Sequence, residues 1–275
     1  MSASAEVFYN LALAPFGRTV TGQGEVVASD FELSDLVARD PLAIGYTGFA
    51  GVRNASAVAI EGSCGIRSMP TEYSIKSEDY PYTRRLYAYT SPAALEDEQV
   101  TDMMDFLDTD EAQRAITNSG FVSLSMQTAA ITEQGMRVTA MAVDPDIETS
   151  LGQIREVLNQ MIGQQRLSTT IRFEADGSTI DARSRGEILR LVRLISDGAY
   201  DGKTLTIAGF TDASGPGGAN GAVSALRANI VLNRILGELA PDARAKVSFN
   251  VAGFGELSPI VCSSSPRAGF VNRRV

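Results

Sequence analysis

The stretch IAGFTDASGPGGANGAVSALRAN, residues 207–229, decides the fold because it joins a strand pattern to a long helix pattern. The residues that lead into it, KTLTIAGF at 203–210, are rich in the apolar and β-branched side chains of a buried strand. The residues that follow, 219–239, carry apolar side chains at helical spacing. Three glycines between 215 and 218 let the connecting loop double back, since glycine adopts positive φ without steric cost. The sequence therefore predicts a strand–loop–helix unit.

The same alternation of strand and helix continues on both sides of this unit. STTIRFEADGSTI at 168–180 predicts a strand that runs into a loop, and ARSRGEILRLVRLISDG at 182–198 predicts a helix. KVSFNVAGFG at 246–255 predicts another strand, and VNRRV at 271–275 predicts the beginning of a last one. Such alternation indicates a sheet covered on one face by two or three helices. We therefore expect residues 167–275 to form one domain.

Asp212 and Arg227 are the residues of this domain with the clearest chemistry. Asp212 follows the predicted strand, and Arg227 lies about two turns into the predicted helix. A carboxylate and a guanidinium held apart in one pocket would complement a zwitterionic amino-acid centre, the first accepting from an ammonium and the second gripping a carboxylate. From spacing alone, a structural ion pair between the two side chains is the other interpretation.

Three motifs of this domain resemble, in order, those of the OmpA-like peptidoglycan-binding family. GFTDASGPGGANGAVSALRA at 209–228 is similar to the family's G-H-T-D and L-S-x-x-R-A signature. AGFGELSPI at 252–260 resembles its G-x-G-E-x-x-P-I segment, and VNRRV resembles its closing N-R-R-V. The resemblance implies an OmpA-like βαβαβ domain with a mixed sheet covered by helices. It also implies binding to the diaminopimelate of the peptidoglycan stem peptide.

The resemblance assigns the site position by position. The residues that match the family's binding pocket are Asp212, Arg227, Asn220, Thr211, Arg273 and Asp176. Two positions depart from the family pattern. Phe210 stands where the family has histidine, which we expect to remove a polar neighbour of the pocket, and the sequence stops at Val275, which we expect to fray the strand that holds Arg273.

The N-terminal half shows a mixed pattern of helices and strands. Helical spacing predicts helices over Glu6 to Leu13, over 29–40 and, as two consecutive helices, over 96–117. Short apolar runs bounded by glycine or serine predict three strands, which are placed at 43–51, 58–63 and 84–91. Tyrosines at 80, 82, 87 and 89 alternate at strand spacing and are expected to pack in the core and hinge, with a ligand face as the alternative. The order indicates an α/β arrangement.

Four segments of this half resemble the second half of phosphate-type periplasmic substrate-binding proteins. They are SAS at 2–4, RDPLAIGYTGFA at 39–50, DYPYTRRLYAYT at 79–90 and DFLDTDEAQRAITNSGFVSL at 105–124. The resemblance implies a partial type II periplasmic-binding-protein lobe over 1–135.

In that family a serine at a helix N-terminus contacts the oxyanion, so Ser2 and Ser4 are candidates for binding phosphate or another small oxyanion. A plain N-cap is the other interpretation. Proteins of this kind close two lobes over a ligand, and this sequence holds little of the first lobe. We therefore expect either a fragment of a longer exported protein or a lobe retained as a scaffold.

The segment between the two halves predicts a helical connector at 136–166. Residues 147–161 place apolar side chains on one helical face. This pattern favours a helix docked on a neighbouring domain, and a short oligomerising coil is the alternative. The predicted organisation is thus a lobe at 1–135, a connector at 136–166 and an OmpA-like domain at 167–275.

Composition excludes several classes of function. The net charge of -9 disfavours nucleic acid as a partner, and no apolar run is long enough for a transmembrane segment. Histidine is absent from the sequence, and no Gly-x-Ser-x-Gly elbow is present, so we expect a protein that is not an enzyme and has no metal or cofactor. Cys64 and Cys262 are interpreted as separate thiols, with a bridge as the alternative.

These patterns and resemblances lead to one functional prediction. We expect a non-catalytic cell-envelope protein that binds peptidoglycan and carries a phosphate-binding-protein-like module. The resemblance implies the periplasm of a diderm bacterium, at the cell wall and outer membrane, although the opening MSASAEVFYN has no signal peptide pattern. The alternative is a tethered periplasmic receptor for phosphate or another oxyanion in an ABC transport system.

Overall fold

The protein folds into two compact units. The computed structural model describes residues 3–22, 24–130, 135–174 and 177–275. The N-terminal unit comprises Met1–Ile60 and Ser68–Gln127, and the C-terminal unit comprises Glu61–Arg67 and Thr128–Val275. The segment predicted as a connector, 136–166, lies within the C-terminal unit.

The N-terminal unit is mainly helical. Its α-helices are α1 (Ala3–Phe8), α2 (Asp30–Arg39), α3 (Glu72–Lys76), α4 (Glu98–Phe106) and α5 (Asp110–Asn118). A π-helical turn, Tyr9–Leu13, extends α1. Ser29 caps α2 by accepting a hydrogen bond from the Glu32 N–H at 3.2 Å, and Thr109 caps α5 in the same way. The helices predicted near residues 6–13, 29–40 and 96–117 are therefore confirmed.

The strands predicted in the N-terminal half are mostly wrong. Of the residues at 43–51, 58–63 and 84–91, only Ile60 and Glu61 form a strand, β1, which pairs with β2 at Arg67–Ser68. Tyr89 is 90% exposed and Tyr87 is also exposed, so these tyrosines are not core residues. An apolar run becomes a strand only where another strand offers backbone partners, and the described part of this unit offers none at 43–48 or 84–90. The periplasmic-binding-protein lobe is not confirmed.

The C-terminal unit alternates helices with short strands, as a mixed α/β domain does. Its elements are β3 (Thr128–Ala130), α6 (Gly135–Val143), α7 (Leu151–Met161), β4 (Gln165–Leu167), α8 (Ala182–Ser196), β5 (Thr204–Gly209), α9 (Gly217–Glu238), α10 (Pro241–Arg244), β6 (Ser248–Gly253) and α11 (Ala268–Val271). β5 and β6 are parallel and run in register from Thr204 opposite Ser248 to Gly209 opposite Gly253. β3 and β4 pair antiparallel.

Two predicted strands of this unit are shorter than expected. The segment 271–275 begins inside α11, and its contribution to sheet pairing is a bridge between Arg274 and Phe210 together with two backbone hydrogen bonds between Val275 and Ile171. The segment 168–180 contributes those bonds and a bridge between Phe173 and Ile180. These bonds still place residues 274–275 between the Ile171 segment and the end of β5.

Two glycines set the approach of α9 to the β5–β6 pair. A Cβ atom on Gly209 would overlap the backbone carbonyl of Ser224, whose carbon lies 2.8 Å from that position. A Cβ atom on Gly253 would lie 2.7 Å from the Ala225 Cβ. Because neither glycine has a side chain, α9 lies directly on the strands. This contact fixes the position of Arg227, one turn further along α9.

The core of the C-terminal unit includes the helix predicted as a connector. Ile154 and Val157 of α7 are buried in one cluster with Phe210 and Phe254, whose ring centroids are 5.5 Å apart. Ser150 begins α7 with a reciprocal capping box. This packing is that of a docked helix, as the apolar face at 147–161 indicated.

Cys64 and Cys262 form a disulfide within the C-terminal unit, with their Cα atoms 5.6 Å apart. The interpretation as separate thiols was wrong, because residues 198 positions apart in sequence meet in the fold. The bridge fixes the short segment 61–67 to the loop after β6. Cys262 is buried against Ile66 and Ala140.

No helix in the described ranges combines the length and the apolar character needed to cross a membrane.

Candidate ligand-binding site

Asp212 lies in the loop between β5 and α9, and Arg227 lies inside α9. Arg227 is only 8% exposed; its Nε donates a hydrogen bond to the Gly177 carbonyl at 3.1 Å, and its guanidinium lies 5.7 Å from the Phe173 ring centroid. Within the ranges that the structure describes, no ion pair joins Asp212 to Arg227. The interpretation as a structural ion pair therefore does not hold there.

The electrostatic environment of Arg227 is unfavourable for its charge. Burial lowers the pKa of the Arg227 guanidinium, repulsion from Arg273 lowers it further, and attraction to Asp212 raises it. Because arginine remains protonated even with such a shift, Arg227 is a largely desolvated cation without a matching carboxylate in the described chain. An entering anion would therefore gain from both guanidinium groups.

A cavity of about 350 Å³ lies beside Asp212. Its polar lining comprises Asp146, Asp212, Ser214, Ser263 and Ser265, and Gly269 forms part of its wall. Arg273 reaches the same wall, since its Nε donates to the Gly269 carbonyl. The Asp212 Oδ2 and an Nη atom of Arg273 each lie 3.3 Å from the point where a Cβ on Gly269 would be. The structure thus places Asp212 and Arg273 close together at Gly269. The charge of Arg227 is attracted by Asp212 and repelled by Arg273.

Thr211 and Asn220 are buried in packing contacts away from this cavity lining. The Thr211 N–H donates to the Gly255 carbonyl at 2.6 Å, while its hydroxyl is buried without a hydrogen-bond partner among the described residues. The Asn220 Nδ2 donates to Glu256 Oε2 at 2.9 Å. Thr211 thus holds the loop after β6 against the end of β5, and Asn220 holds it against the start of α9. Asp176 lies outside the described residues.

Glu256 is a site-supporting residue that the sequence analysis missed. Its Oε1 accepts from the Glu148 N–H, and its Oε2 accepts from Asn220. Burial raises the pKa of the Glu256 carboxyl; these two hydrogen bonds oppose the shift, and repulsion from Glu148 and Asp144 adds to it. The G-x-G-E motif was the available signal for the position of Glu256, but the sequence did not show that its carboxylate would be buried beside Asn220.

Replacing Glu256 with glutamine should change how stability depends on pH. The ordinary pKa of this carboxyl is 4.5, and folding raises it. The folded state therefore binds the proton more tightly, so wild-type stability falls relative to Glu256→Gln as the pH rises from 4.5 through the raised pKa. Urea denaturation of both proteins from pH 4 to pH 8 measures this difference. The control is Glu156→Gln, at an exposed position on α7. If the wild type instead became more stable relative to Glu256→Gln as the pH rises over this range, the assignment would be contradicted.

The residues of the N-R-R-V motif have different roles: Asn272 and Arg274 stabilise the fold, whereas Arg273 lies at the candidate site. The Asn272 Oδ1 accepts from the N–H groups of Ile260 and Val261. Arg274 is buried, donates to the Ser258 carbonyl at 2.6 Å, and lies 4.0 Å from the Phe210 ring centroid. Phe210 thus faces the core and Arg274, and the expected loss of a polar pocket neighbour stays a prediction. The bonds of residues 274–275 also hold Arg273 in place, contrary to the expected fraying.

The described residues give no further support to an anion site at the chain's start. Ser4 lies in α1, which has six residues, and Ser2 lies outside the described residues. Phosphate binding there stays a prediction. In the described ranges, no group of three or more His, Cys, Asp or Glu side chains is placed to hold a metal ion.

Comparison with known proteins agrees with the geometry of the C-terminal unit. Residues 172–273 match the model of the OmpA family and form an OmpA-family domain. One relative is Outer membrane porin F of Pseudomonas fluorescens, which is 28% identical over 110 residues; the match covers 40% of this chain and 32% of that porin. The chain thus spans about a third of the length of the curated relative that it matches. The family match begins at residue 172, so the likeness of the N-terminal half to phosphate-binding proteins stays a prediction.

Proposed function

We propose that this protein is a non-catalytic component of the cell envelope that binds peptidoglycan through its OmpA-family domain. The ligand would be the free amino-acid centre of diaminopimelate in the stem peptide. The observation that carries the proposal is the buried Arg227, which has no carboxylate partner in the described chain although Asp212 lies on the adjoining loop.

The charges in the site fit the two ends of a zwitterion. The ligand's ammonium would donate hydrogen bonds to the Asp212 carboxylate, and the ligand's carboxylate would lie near Arg227 and Arg273. Each charge-assisted contact is worth about 1.5 to 3 kcal/mol, which supports micromolar affinity once ordering costs are subtracted. The ligand carboxylate would also relieve the repulsion between the two guanidinium groups, which lowers the pKa of Arg227 in the free protein.

Three observations support placement at the cell wall. Residues 172–273 form an OmpA-family domain, and the related porin is by name an outer-membrane protein. The disulfide between Cys64 and Cys262 is a bond that persists in oxidising compartments, and the bacterial periplasm is one of them. We therefore propose a periplasmic location, associated with the wall and the outer membrane.

Sedimentation with purified peptidoglycan sacculi tests this function. We expect the full chain to pellet with sacculi that contain diaminopimelate, and free meso-diaminopimelate to release it into the supernatant. Pimelate is the matched competitor, because it has the same seven-carbon dicarboxylate skeleton without amino groups, and it should leave the protein in the pellet. A protein that stays in the supernatant with sacculi would contradict the proposal.

A further inference from the structure

Asp146 is a second carboxylate in the lining of the cavity beside Asp212. It lies in the loop between α6 and α7, outside the stretch 172–273 that matches the OmpA family. Its position is thus a property of this chain's own preceding segment. Asp146 is exposed, and its carboxylate forms no ion pair within the ranges that the structure describes.

The loop that carries Asp146 is fixed before that residue. Asp144 is buried, and its Oδ1 accepts from the Asp146 N–H at 3.2 Å. Its Oδ2 accepts from the N–H of Ser263, another residue of the cavity lining, at 3.0 Å. One carboxylate therefore ties the Asp146 backbone to Ser263, which also lines the cavity.

The loop is also fixed after Asp146. Ile147 is buried in the core cluster with Phe210 and Phe254. The Glu148 N–H donates to Glu256 Oε1, and the Glu148 Oε2 accepts from the N–H of Gly217 at the start of α9, at 3.2 Å. Anchored on both sides, the loop holds Asp146 at the cavity without using its side chain.

From this arrangement we propose that Asp146 is a specificity residue that binds the ammonium of the ligand together with Asp212. The inference rests on the proposed function and defines its ligand further, as an amino-acid centre with a free, charged amine. Arg273 shares the Gly269 wall with Asp212, so two carboxylates and one guanidinium group lie at the cavity, and the guanidinium group of Arg227 interacts electrostatically with Asp212 and Arg273. These four side chains carry two negative and two positive charges. A bound zwitterion would add one charge of each sign and leave their net charge unchanged.

Titration calorimetry of the full chain with meso-diaminopimelate tests this role. Asp146→Asn keeps the size of the side chain and removes its charge, and we expect it to weaken binding about tenfold, the loss of one charge-assisted contact. Asp242→Asn, at an exposed position on α10, is the matched control and should bind as the wild type does. The melting temperature should not change, because Asp146 is bonded to the described residues through its backbone N–H and not through its side chain.

The outcomes separate this inference from the proposed function. Wild-type affinity in Asp146→Asn, with binding lost in Asp212→Asn, would overturn the role of Asp146 and leave peptidoglycan binding intact. Absence of binding by the wild type, both to meso-diaminopimelate and to sacculi, would overturn the two proposals together.

Discussion

Arg227→Ala is expected to weaken binding to peptidoglycan sacculi by ten- to a hundredfold, with little change in stability. The guanidinium would lose a charge-assisted contact with the ligand carboxylate, worth about 1.5 to 3 kcal/mol. In the free protein, removing the Arg227 guanidinium breaks its hydrogen bond to the Gly177 carbonyl, which costs stability. The same change removes a buried charge and its repulsion by Arg273, which offsets that cost. Pelleting across a range of sacculus concentrations, with urea denaturation alongside, measures both effects.

Arg234→Ala provides the matched control for this experiment. Arg234 lies on the same helix and pairs with Glu238 at 2.7 Å on the exposed surface, where such a pair contributes little to stability. This variant should pellet as the wild type does. Equal pelleting of Arg227→Ala and Arg234→Ala would show that the buried guanidinium takes no part in recognition.

Gly209→Ala should destabilise the C-terminal unit by about 3 kcal/mol or more, at the upper end of the effects of overpacking. The new methyl group would overlap the carbonyl of Ser224, which is backbone inside α9 and has no rotamer to change. Relief requires the helix to move away from β5 and β6 along its contact. Urea denaturation monitored by circular dichroism gives the change in unfolding free energy.

Gly237→Ala tests whether the effect depends on the close contact. Gly237 lies near the end of the same helix, and a Cβ there would meet no atom within 4 Å. Alanine at this position should leave stability unchanged or raise it by up to about 1 kcal/mol, since glycine is a weak helix former. If both variants unfold alike, α9 does not rest on Gly209 in solution.

The sequence predicted the fold well where local pattern and burial coincide. α8 and α9 each have an apolar stripe that is buried in the C-terminal unit, and β5 and β6 are short, mainly apolar runs, so periodicity located all four. The strand predicted at 84–91 failed because its alternating tyrosines required a sheet to pack on, and side-chain pattern contains no information about a partner. The disulfide was missed for the same reason, since only the folded backbone brings Cys64 beside Cys262.

The site was predicted in part. The family motifs identified Asp212, Arg227 and Arg273. The structure places Asp212 and Arg273 together at Gly269, and both interact electrostatically with Arg227. The motifs could not show that Asn220 donates to Glu256, because the burial of a motif residue is decided by the packing of α9 on the loop after β6. Nor could spacing reveal Asp146, which belongs to a different part of the chain and reaches the cavity through tertiary bonds.

The place of residues 274–275 between the Ile171 segment and the end of β5 has a consequence for biogenesis. A polypeptide that emerges vectorially, N-terminus first, presents α8 and α9 long before the residues that complete their sheet. Contacts between such distant positions form slowly, and the unfinished sheet exposes unpaired edges meanwhile. We therefore expect the nascent domain to resist proteases only after residues 274–275 have emerged.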